Sequence, residues 1–371
     1  MKILVTGANG FIGKNLVSEL QNRGYKEIFE WNRLTSNEEI NEYTKKCDFV
    51  VHLAGENRPK HIEDYKKVNV DLTKRLLQNL RKNNNKSPIL FASSTQVDLY
   101  NEYGNTKREA ENIIKRYGKE NDVNTYIYRL NNIFGKWCKP NYNSVVATFC
   151  NNIANNIPIK LNDKKMVIKL SYIDDVIDDF INVIQGKIHE NKEINYMSIT
   201  YEKTLEEIAS EIKSFKNMRE KFFVPDLKNN FTKKLYSTYL SYIPKNQFSY
   251  SLDTISDKRG SFTELFKSNC GGQISLNVIK PNCIKGNHWH HTKNEKFVVI
   301  SGEGIIKFKN VNSEEELEYK VDDKNIQVVD IPVGYVHSII NTGDKDMFVI
   351  IWASENFNKE KTDTYYKNWE G

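Results

Sequence analysis

The stretch Val5-Thr6-Gly7-Ala8-Asn9-Gly10-Phe11-Ile12-Gly13 constrains this chain more than any other. It follows the apolar run Ile3-Leu4-Val5 and opens an amphipathic segment from Phe11 to Leu20, so it reads as strand, glycine turn and helix. Gly7 suits a turn where a side chain would clash. Gly10 lets the main chain approach a pyrophosphate, and Gly13 lets the helix lie close on the strand. The helix N-terminus then aims free N–H groups, and roughly half a positive charge, at the phosphates.

The following residues alternate strand and helix. Tyr25 to Trp31 reads as the second strand. In nucleotide-binding α/β folds an acidic residue at the end of this strand grips the ribose 2′-OH of NAD, whereas an Arg nearby suits the 2′-phosphate of NADP. Arg33 therefore points to NADPH, and Glu30 keeps NADH open if the strand is shifted by one residue. The run Asp48-Phe49-Val50-Val51-His52-Leu53-Ala54-Gly55 suits a strand buried on both faces, ending in small residues where a nicotinamide ribose could lie close. His52 reads as a satisfied core histidine. Val68 to Leu80 reads as a helix with Asn69 near its start, and Ile89-Leu90-Phe91-Ala92 as a strand that ends in the hydroxyls of Ser93-Ser94-Thr95.

Tyr103-Gly-Asn-Thr-Lys107 then places a phenol and an ammonium on one helix face. Reduction of a ketone leaves an alkoxide that needs a proton from an acid about 3 Å away. A free tyrosine, with a pKa of about 10, is an indifferent donor, and a neighbouring ammonium is expected to bring it towards the working range.

With these residues in place, the chain resembles the extended short-chain dehydrogenase/reductases that modify nucleotide sugars. The resemblance implies an α/β Rossmann fold for residues 1–246 and a catalytic set of Tyr103, Lys107 and a serine. Ser93, Ser94 and Thr95 all compete for the serine role, and alignment on Val97 favours Ser94. It also implies a nicotinamide cofactor along Gly7, Asn9, Gly10, Phe11, Ile12, Gly13, Arg33, Leu53, Ala54, Gly55, Tyr103 and Lys107. Relatives use the region after the strand Tyr126–Leu130 for the sugar nucleotide, which makes Arg129, Lys136, Lys139, Asn141 and Asn143 polar candidates. Asp174 and Asp175 read as helix-capping groups, and Thr204 with Glu207 as a capping box.

The pattern changes near residue 247. Short runs of β-branched and aromatic residues, separated by Gly, Pro, Asn and Asp, predict an all-β domain over residues 247–371. It contains His288-Trp-His290-His-Thr-Lys-Asn-Glu295 and, later, Pro332-Val-Gly334-Tyr-Val-His337 with Asn341. Side chains two apart on a strand share a face, so His288 and His290 project together while His291 points away. With Glu295 and His337 they make a cation site with N/O ligands. The two spacings resemble the cupin motifs, which implies a jelly-roll barrel.

The chain has 371 residues and a formal net charge of +6, with both signs mixed throughout. No Lys/Arg cluster is interleaved with aromatics, so nucleic acid is not the expected partner, and acidic small molecules are. Five scattered cysteines, no apolar run long enough to span a membrane and a first strand that begins at Met1 point to a cytoplasmic protein. An extended reductase joined to a cupin resembles a family of bacterial capsular polysaccharide synthesis enzymes. That resemblance implies a UDP-sugar substrate, a zinc-bearing cupin and a homodimer joined through it. It further implies that the cupin epimerises C3 of a UDP-4-keto-6-deoxyhexosamine and that the reductase then uses NADPH on C4. The product would be a UDP-linked 6-deoxy-L-talosamine on the route to N-acetyl-L-fucosamine. The alternative is a reductase whose cupin serves only dimerisation or ligand sensing.

Overall fold

Apolar residues fill both faces of the first five strands, and helices cover both. The computed structural model describes residues 1–187, 193–358, 360 and 362–367. The chain divides into two compact units, Met1–Ile212 with Lys233–Pro244, and Lys213–Thr232 with Lys245–Gly371.

The first unit opens with β1 (Lys2–Thr6), α1 (Phe11–Asn22), β2 (Glu27–Trp31), α2 (Asn37–Lys46) and β3 (Phe49–His52). After β3 come α3 (Glu63–Lys66), a π-helical turn (Lys67–Asp71) and α4 (Leu72–Lys82). These are followed by β4 (Ile89–Ser94), α5 (Glu102–Asn121) and β5 (Thr125–Leu130). The sheet order is β2-β1-β3-β4-β5, and every neighbouring pair is parallel. Ile3, Val5, Val51 and Leu90 pack with Leu16 and Leu20 of α1 on one face. Leu4, Val50, Ile89 and Phe91 pack with Leu76 of α4 and Ile114 of α5 on the other. A strand buried on both sides cannot show polar alternation, which is why these segments read as continuous apolar runs. Because the strands are parallel, the glycine turn, Ala54-Gly55 and Ser93-Ser94 fall on one edge. Strand order reverses between β1 and β3, where open α/β sheets leave their ligand crevice.

The unit continues through β6 (Asn132–Phe134), α6 (Val145–Ala154), β7 (Val167–Tyr172), α7 (Ile173–Ile184) and β8 (Tyr201–Thr204). The expected capping box is formed: the Thr204 hydroxyl accepts the Glu207 N–H at 3.1 Å, and the Glu207 carboxylate accepts the Thr204 N–H at 2.7 Å. Two helices follow, α8 (Leu205–Glu220) and α9 (Asn230–Leu240). Asp174 and Asp175 stand in the first turn of α7 without capping it. Their carboxylates pair instead with Lys136 and Lys234.

The second unit is antiparallel. It contains β9 (Thr254–Asp257), β10 (Gly260–Ser268), β11 (Gly272–Ile279), β12 (Ile284–Trp289), β13 (Glu295–Ser301) and β14 (Glu303–Asn310). The remaining strands are β15 (Glu316–Asp322), β16 (Val328–Ile331), β17 (Tyr335–Asn341), β18 (Met347–Ala353) and β19 (Tyr365–Tyr366). Two sheets, β16-β13-β18-β11-β10-β9 and β15-β14-β17-β12-β19, enclose Phe297, Val299, Ile306, Phe308, Ile339 and Val349. This is the expected cupin-type barrel.

The outward face of the six-stranded sheet carries an apolar patch over its central strands, bordered by Lys296 beside Trp352, Thr263 beside Leu276 and Ser261 beside Val278. Phe266 lies beside Ile274 and Ile274 beside Trp352, while Leu276, Ile350, Val298 and Val328 form the next row and Val278 with Phe348 the third. Phe266, Ile274, Val328 and Phe348 are exposed. All five cysteines are free thiols. Among the described residues no helix is long and apolar enough to cross a membrane.

Candidate active sites

The glycine turn after β1 is built as its spacing implies. Gly7 has φ +71°, and a Cβ there would sit 2.8 Å from the Ala54 nitrogen, so the turn and the end of β3 touch. A Cβ on Gly13 would meet the Gly7 carbonyl oxygen at 2.3 Å and the Ala8 oxygen at 2.6 Å, so only glycine lets α1 lie this close to the turn. Ala8, Asn9 and Lys14 line an open cleft of about 550 Å³ with Glu30 and Trp137.

Asn101 starts α5 by accepting the Gly104 N–H at 2.7 Å. A Cβ on Gly104 would meet the Gln96 carbonyl at 2.2 Å. The helix therefore lies against the 3₁₀ turn Thr95–Asp98, which brings Tyr103 beneath the end of β4. Of the three neighbouring hydroxyls, Ser94 reaches the Tyr103 phenol. Ser93 faces the other way and donates to the buried Glu111 carboxylate at 2.5 Å, and Thr95 donates to the Leu130 carbonyl at 3.3 Å.

Lys107 is 3% exposed, donates from Nζ to the Ala92 carbonyl at 2.6 Å and lies 4.3 Å from the Phe91 ring centroid. Burial pulls its pKa down to about 7, against the opposing pull of Glu111. Burial pushes the Tyr103 phenol up to about 12, and the hydrogen bond from Ser94 only partly offsets this. The expected lowering of Tyr103 by its ammonium neighbour is therefore not what this fold produces. Desolvation is the largest influence on the phenol and only Ser94 acts to lower it, so Tyr103 keeps its proton.

Asn69 was visible in the sequence only as a residue near a helix start. The π-helical turn swings it inward, where it is 1% exposed. Its Oδ1 accepts the Glu56 N–H at 2.8 Å, and its Nδ2 donates to the Glu56 carbonyl and to Thr106 Oγ1, each at 3.0 Å. A Cβ on Gly55 would lie 3.3 Å from Asn69 Oδ1 and 3.6 Å from Lys107 Nζ, so Gly55, Asn69 and Lys107 crowd one spot at the sheet edge. Leu53 is half-buried, and its N–H donates to the Thr6 carbonyl at 3.2 Å, alongside the glycine turn. Phe11 and Ile12 start α1 and pack against the core beneath it.

Arg33 is 91% exposed at its side chain, 3.5 Å from the Glu56 carboxylate, which also accepts the Tyr142 hydroxyl. His52 is a core residue, with Nδ1 2.7 Å from Thr6 Oγ1 and Nε2 2.9 Å from Thr73 Oγ1, and burial lowers its pKa to about 3. Arg129 is committed inward, to both oxygens of Glu111 at 3.0 and 2.9 Å. Lys136 is paired with Asp174, Lys139 lies 5.5 Å from the Tyr142 ring, and the Asn141 N–H donates to Thr148. Asn143 lies in the turn that precedes α6.

In the second unit His288, His290, Glu295 and His337 converge, with one ligand atom from each within 4.8 Å of all the others. His288 pairs across the sheet with His337 on β17, after an irregularity at Gly286 that turns the strand. His290 Nε2 and His337 Nε2 each lie 3.4 Å from Glu295 Oε2. Two ligands about 2.1 Å from a tetrahedral ion are separated by about that distance. His288 Nδ1, His290 Nε2 and both nitrogens of His337 are buried without a hydrogen-bond partner. Orphaned buried nitrogens are costly unless something accepts their lone pairs, so the donor set fits a divalent cation. Burial opposes ionisation of Glu295, and Lys293, with Nζ 3.3 Å from Oε1, favours the carboxylate against that cost. His291 is outside the cluster, 4.5 Å from the Trp289 ring. Asn341 is fully buried and donates to the Ile279 and Lys345 carbonyls, each at 2.7 Å, a structural role.

Comparison with known proteins agrees with this geometry. Residues 3–196 match the NAD dependent epimerase/dehydratase family, and residues 255–365 match the polysaccharide biosynthesis C-terminal domain. The chain is 40% identical over 365 residues to a UDP-2-acetamido-2,6-beta-L-arabino-hexul-4-ose reductase of Pseudomonas aeruginosa, covering 98% of each chain. It is 46% identical to the crystal structure of the capsular polysaccharide assembling protein CapF from Staphylococcus aureus, with 99% of each chain covered and a TM-score of 0.93. A UDP-glucose 4-epimerase from Thermotoga maritima shares the fold at 19% identity and TM-score 0.54, over 67% of this chain and all of that one. The resemblances drawn from the glycine turn, the Tyr-x-x-x-Lys pair and the histidine spacings are met. This chain belongs to the NAD dependent epimerase/dehydratase family and carries a polysaccharide biosynthesis C-terminal domain in its second half.

Proposed function

We propose that this chain is a bifunctional nucleotide-sugar enzyme of capsular or surface polysaccharide synthesis. Its barrel epimerises C3 of a UDP-2-acetamido-2,6-dideoxy-4-hexulose. Its Rossmann unit reduces the C4 ketone with NADPH to UDP-N-acetyl-6-deoxy-L-talosamine, a precursor of UDP-N-acetyl-L-fucosamine. The reading rests on one observation: a single chain carries both a Tyr–Ser–Lys set at a dinucleotide-type crevice and a buried three-histidine, one-carboxylate cluster. The curated relative named above, a reductase of a UDP-hexulose, supports the substrate class.

In the Rossmann unit Tyr103 gives its proton to the C4 oxygen as the alkoxide forms. Its raised pKa keeps it protonated until that moment. Ser94 orients the ketone oxygen towards the phenol. Lys107, whose Nζ lies beside Gly55 at the sheet edge, would hold the cofactor ribose. Arg33, whose only ion pair among the described residues is a 3.5 Å contact with Glu56 at the surface, would be the residue to hold the 2′-phosphate that distinguishes NADPH. Gly7, Asn9, Gly10, Phe11, Ile12, Gly13 and Leu53-Ala54-Gly55 would hold the dinucleotide, whose nicotinamide would supply the hydride.

In the barrel His288, His290, Glu295 and His337 would hold a divalent cation, zinc by resemblance. Such a cation is a Lewis acid that polarises the C4 ketone oxygen and acidifies the hydrogen on C3. The apolar patch on the outer face of the six-stranded sheet supports a homodimer joined through the barrel, since single apolar residues are normal on a surface and a contiguous patch is not.

NMR of the UDP-4-keto sugar in deuterated water tests the reading. With metal-loaded protein and no NADPH, deuterium enters C3; adding NADPH yields the 4-hydroxy product. Tyr103→Phe should slow reduction by about 10²–10⁴-fold while leaving deuterium entry intact. Loss of both in a folded variant would rule out two independent sites. Full product stereochemistry from metal-depleted protein would instead favour a barrel that serves only association, a role its outer face would also suit.

A further inference from the structure

We propose that Asp363 is the positioning residue of the barrel cluster, fixing which nitrogen His290 presents and how the turn between His290 and Glu295 is held. The inference rests on the reading of that cluster as a cation site. Asp363 lies 73 residues beyond His290 in the chain, and it acts on the cluster through both its backbone and its side chain.

The main-chain carbonyl of Asp363 accepts a hydrogen bond from His290 Nδ1. A carbonyl cannot donate, so Nδ1 must carry the proton. The remaining lone pair is then on Nε2, the nitrogen that is buried without a partner and faces Glu295 Oε2 at 3.4 Å. A ligating histidine whose second nitrogen is held in this way is locked in both tautomer and ring orientation. Among the described residues no equivalent hydrogen bond holds His337, whose two ring nitrogens are both without a partner.

The Asp363 carboxylate fixes the turn itself. Oδ1 accepts the His291 N–H at 2.9 Å, and Oδ2 accepts the N–H groups of Thr292 at 2.7 Å and Lys293 at 2.8 Å. The Thr292 hydroxyl adds a fourth bond at 3.0 Å. Three successive amides and a hydroxyl therefore converge on one carboxylate and hold it well below the ordinary carboxylate range, despite some burial. The clamped residues lie between the two ligands His290 and Glu295. Lys293, whose amide is in the clamp, reaches Glu295 with Nζ at 3.3 Å and Thr364 at 3.2 Å. Beyond the clamp β19 pairs with the ligand strand, Tyr366 opposite His288. The segment from Asp363 to Tyr366 thus borders two of the four ligands and braces a third.

The test is a titration of the full chain with Co²⁺, followed by visible absorption and by competition with a chelator, for wild type, Asp363→Ala and Asp363→Asn. Outer partners of metal-bound histidines typically change affinity by about 10–100-fold. Asp363→Ala should therefore weaken Co²⁺ by at least about 10-fold and alter the ligand-field bands. Asp363→Asn, which keeps one acceptor oxygen, should fall between the two. Wild-type protein that binds no Co²⁺ would overturn the cation reading itself. Wild-type binding with an unchanged affinity and spectrum in Asp363→Ala would overturn this inference and leave that reading standing. If the Ala variant does not fold, the Asn variant decides, and wild-type affinity there overturns the inference. A loss of thermal stability in chelator that accounts for the whole affinity change would reduce Asp363 to a structural residue, and so would overturn it too.

Discussion

Tyr103 and Lys107 stand one helical turn apart, and burial drives their protonation towards the same neutral state from opposite sides. The phenol is pushed up to about 12 and the ammonium pulled down to about 7. Lys107 in the unfolded chain titrates near 10.5. Between about 7 and 10.5 the unfolded chain therefore binds the extra proton, and stability rises with pH across that window; below about 7 the folded protein carries the full cost of a buried ammonium. Lys107→Met removes that cost. The variant should gain over wild type at pH 6 and lose most of its advantage by pH 10, a swing on the order of 3–5 kcal/mol. Thermal unfolding of both proteins across that range, without cofactor, measures it. A pH-independent difference would mean that Lys107 is solvated in the folded state.

At the scale of elements, the π-helical turn Lys67–Asp71 does what an α-helix at the same place would not. Its extra residue rotates Asn69 under the loop that leaves β3, where the side chain holds both backbone groups of Glu56. Asn69→Ala strands a buried N–H and leaves Thr106 without its donor. It should cost about 2–4 kcal/mol locally, read as faster amide exchange in the β3–α3 loop and at the start of α5. Unchanged exchange there would show that the loop is held by other contacts. The case also marks what could be read in advance. The glycine turn, the Tyr-x-x-x-Lys pair and the two histidine spacings are local patterns, each carried by one element or one turn, and they were readable in the bare sequence. So was the switch from buried parallel strands to short antiparallel ones, because it changes composition over many residues. Asn69 and Asp363 were not, and Ser94 is preferred to Ser93 in the sequence only by alignment on Val97. Each is set by a partner far off in the chain, Glu111 for Ser93 and His290 for Asp363, and no spacing announces such pairs. The direction of the Tyr103 shift is not legible there either, since a neighbour shows in a sequence and desolvation does not.

At the scale of the whole molecule, the proposed function puts two sites with separate requirements on one chain and assigns association to a third surface. Introducing charge into the outer sheet face, as Phe348→Glu or Ile350→Lys, should weaken self-association by at least about 100-fold, because a centrally placed charge loses its hydration against apolar neighbours. Sedimentation at several concentrations measures it, and a dimer unmoved by either change would assign the interface elsewhere. Over the two central strands that outer face presents Ile274, Leu276, Val278, Phe348 and Ile350, whose side chains carry no hydrogen-bonding group, with Thr263 and Ser261 at the edge. An assembly cemented by such a surface draws its cohesion from water, and that cohesion fades as the solvent is chilled. Subunits kept dilute on ice should drift apart and rejoin on warming, so the cold room is where this protein would be least itself.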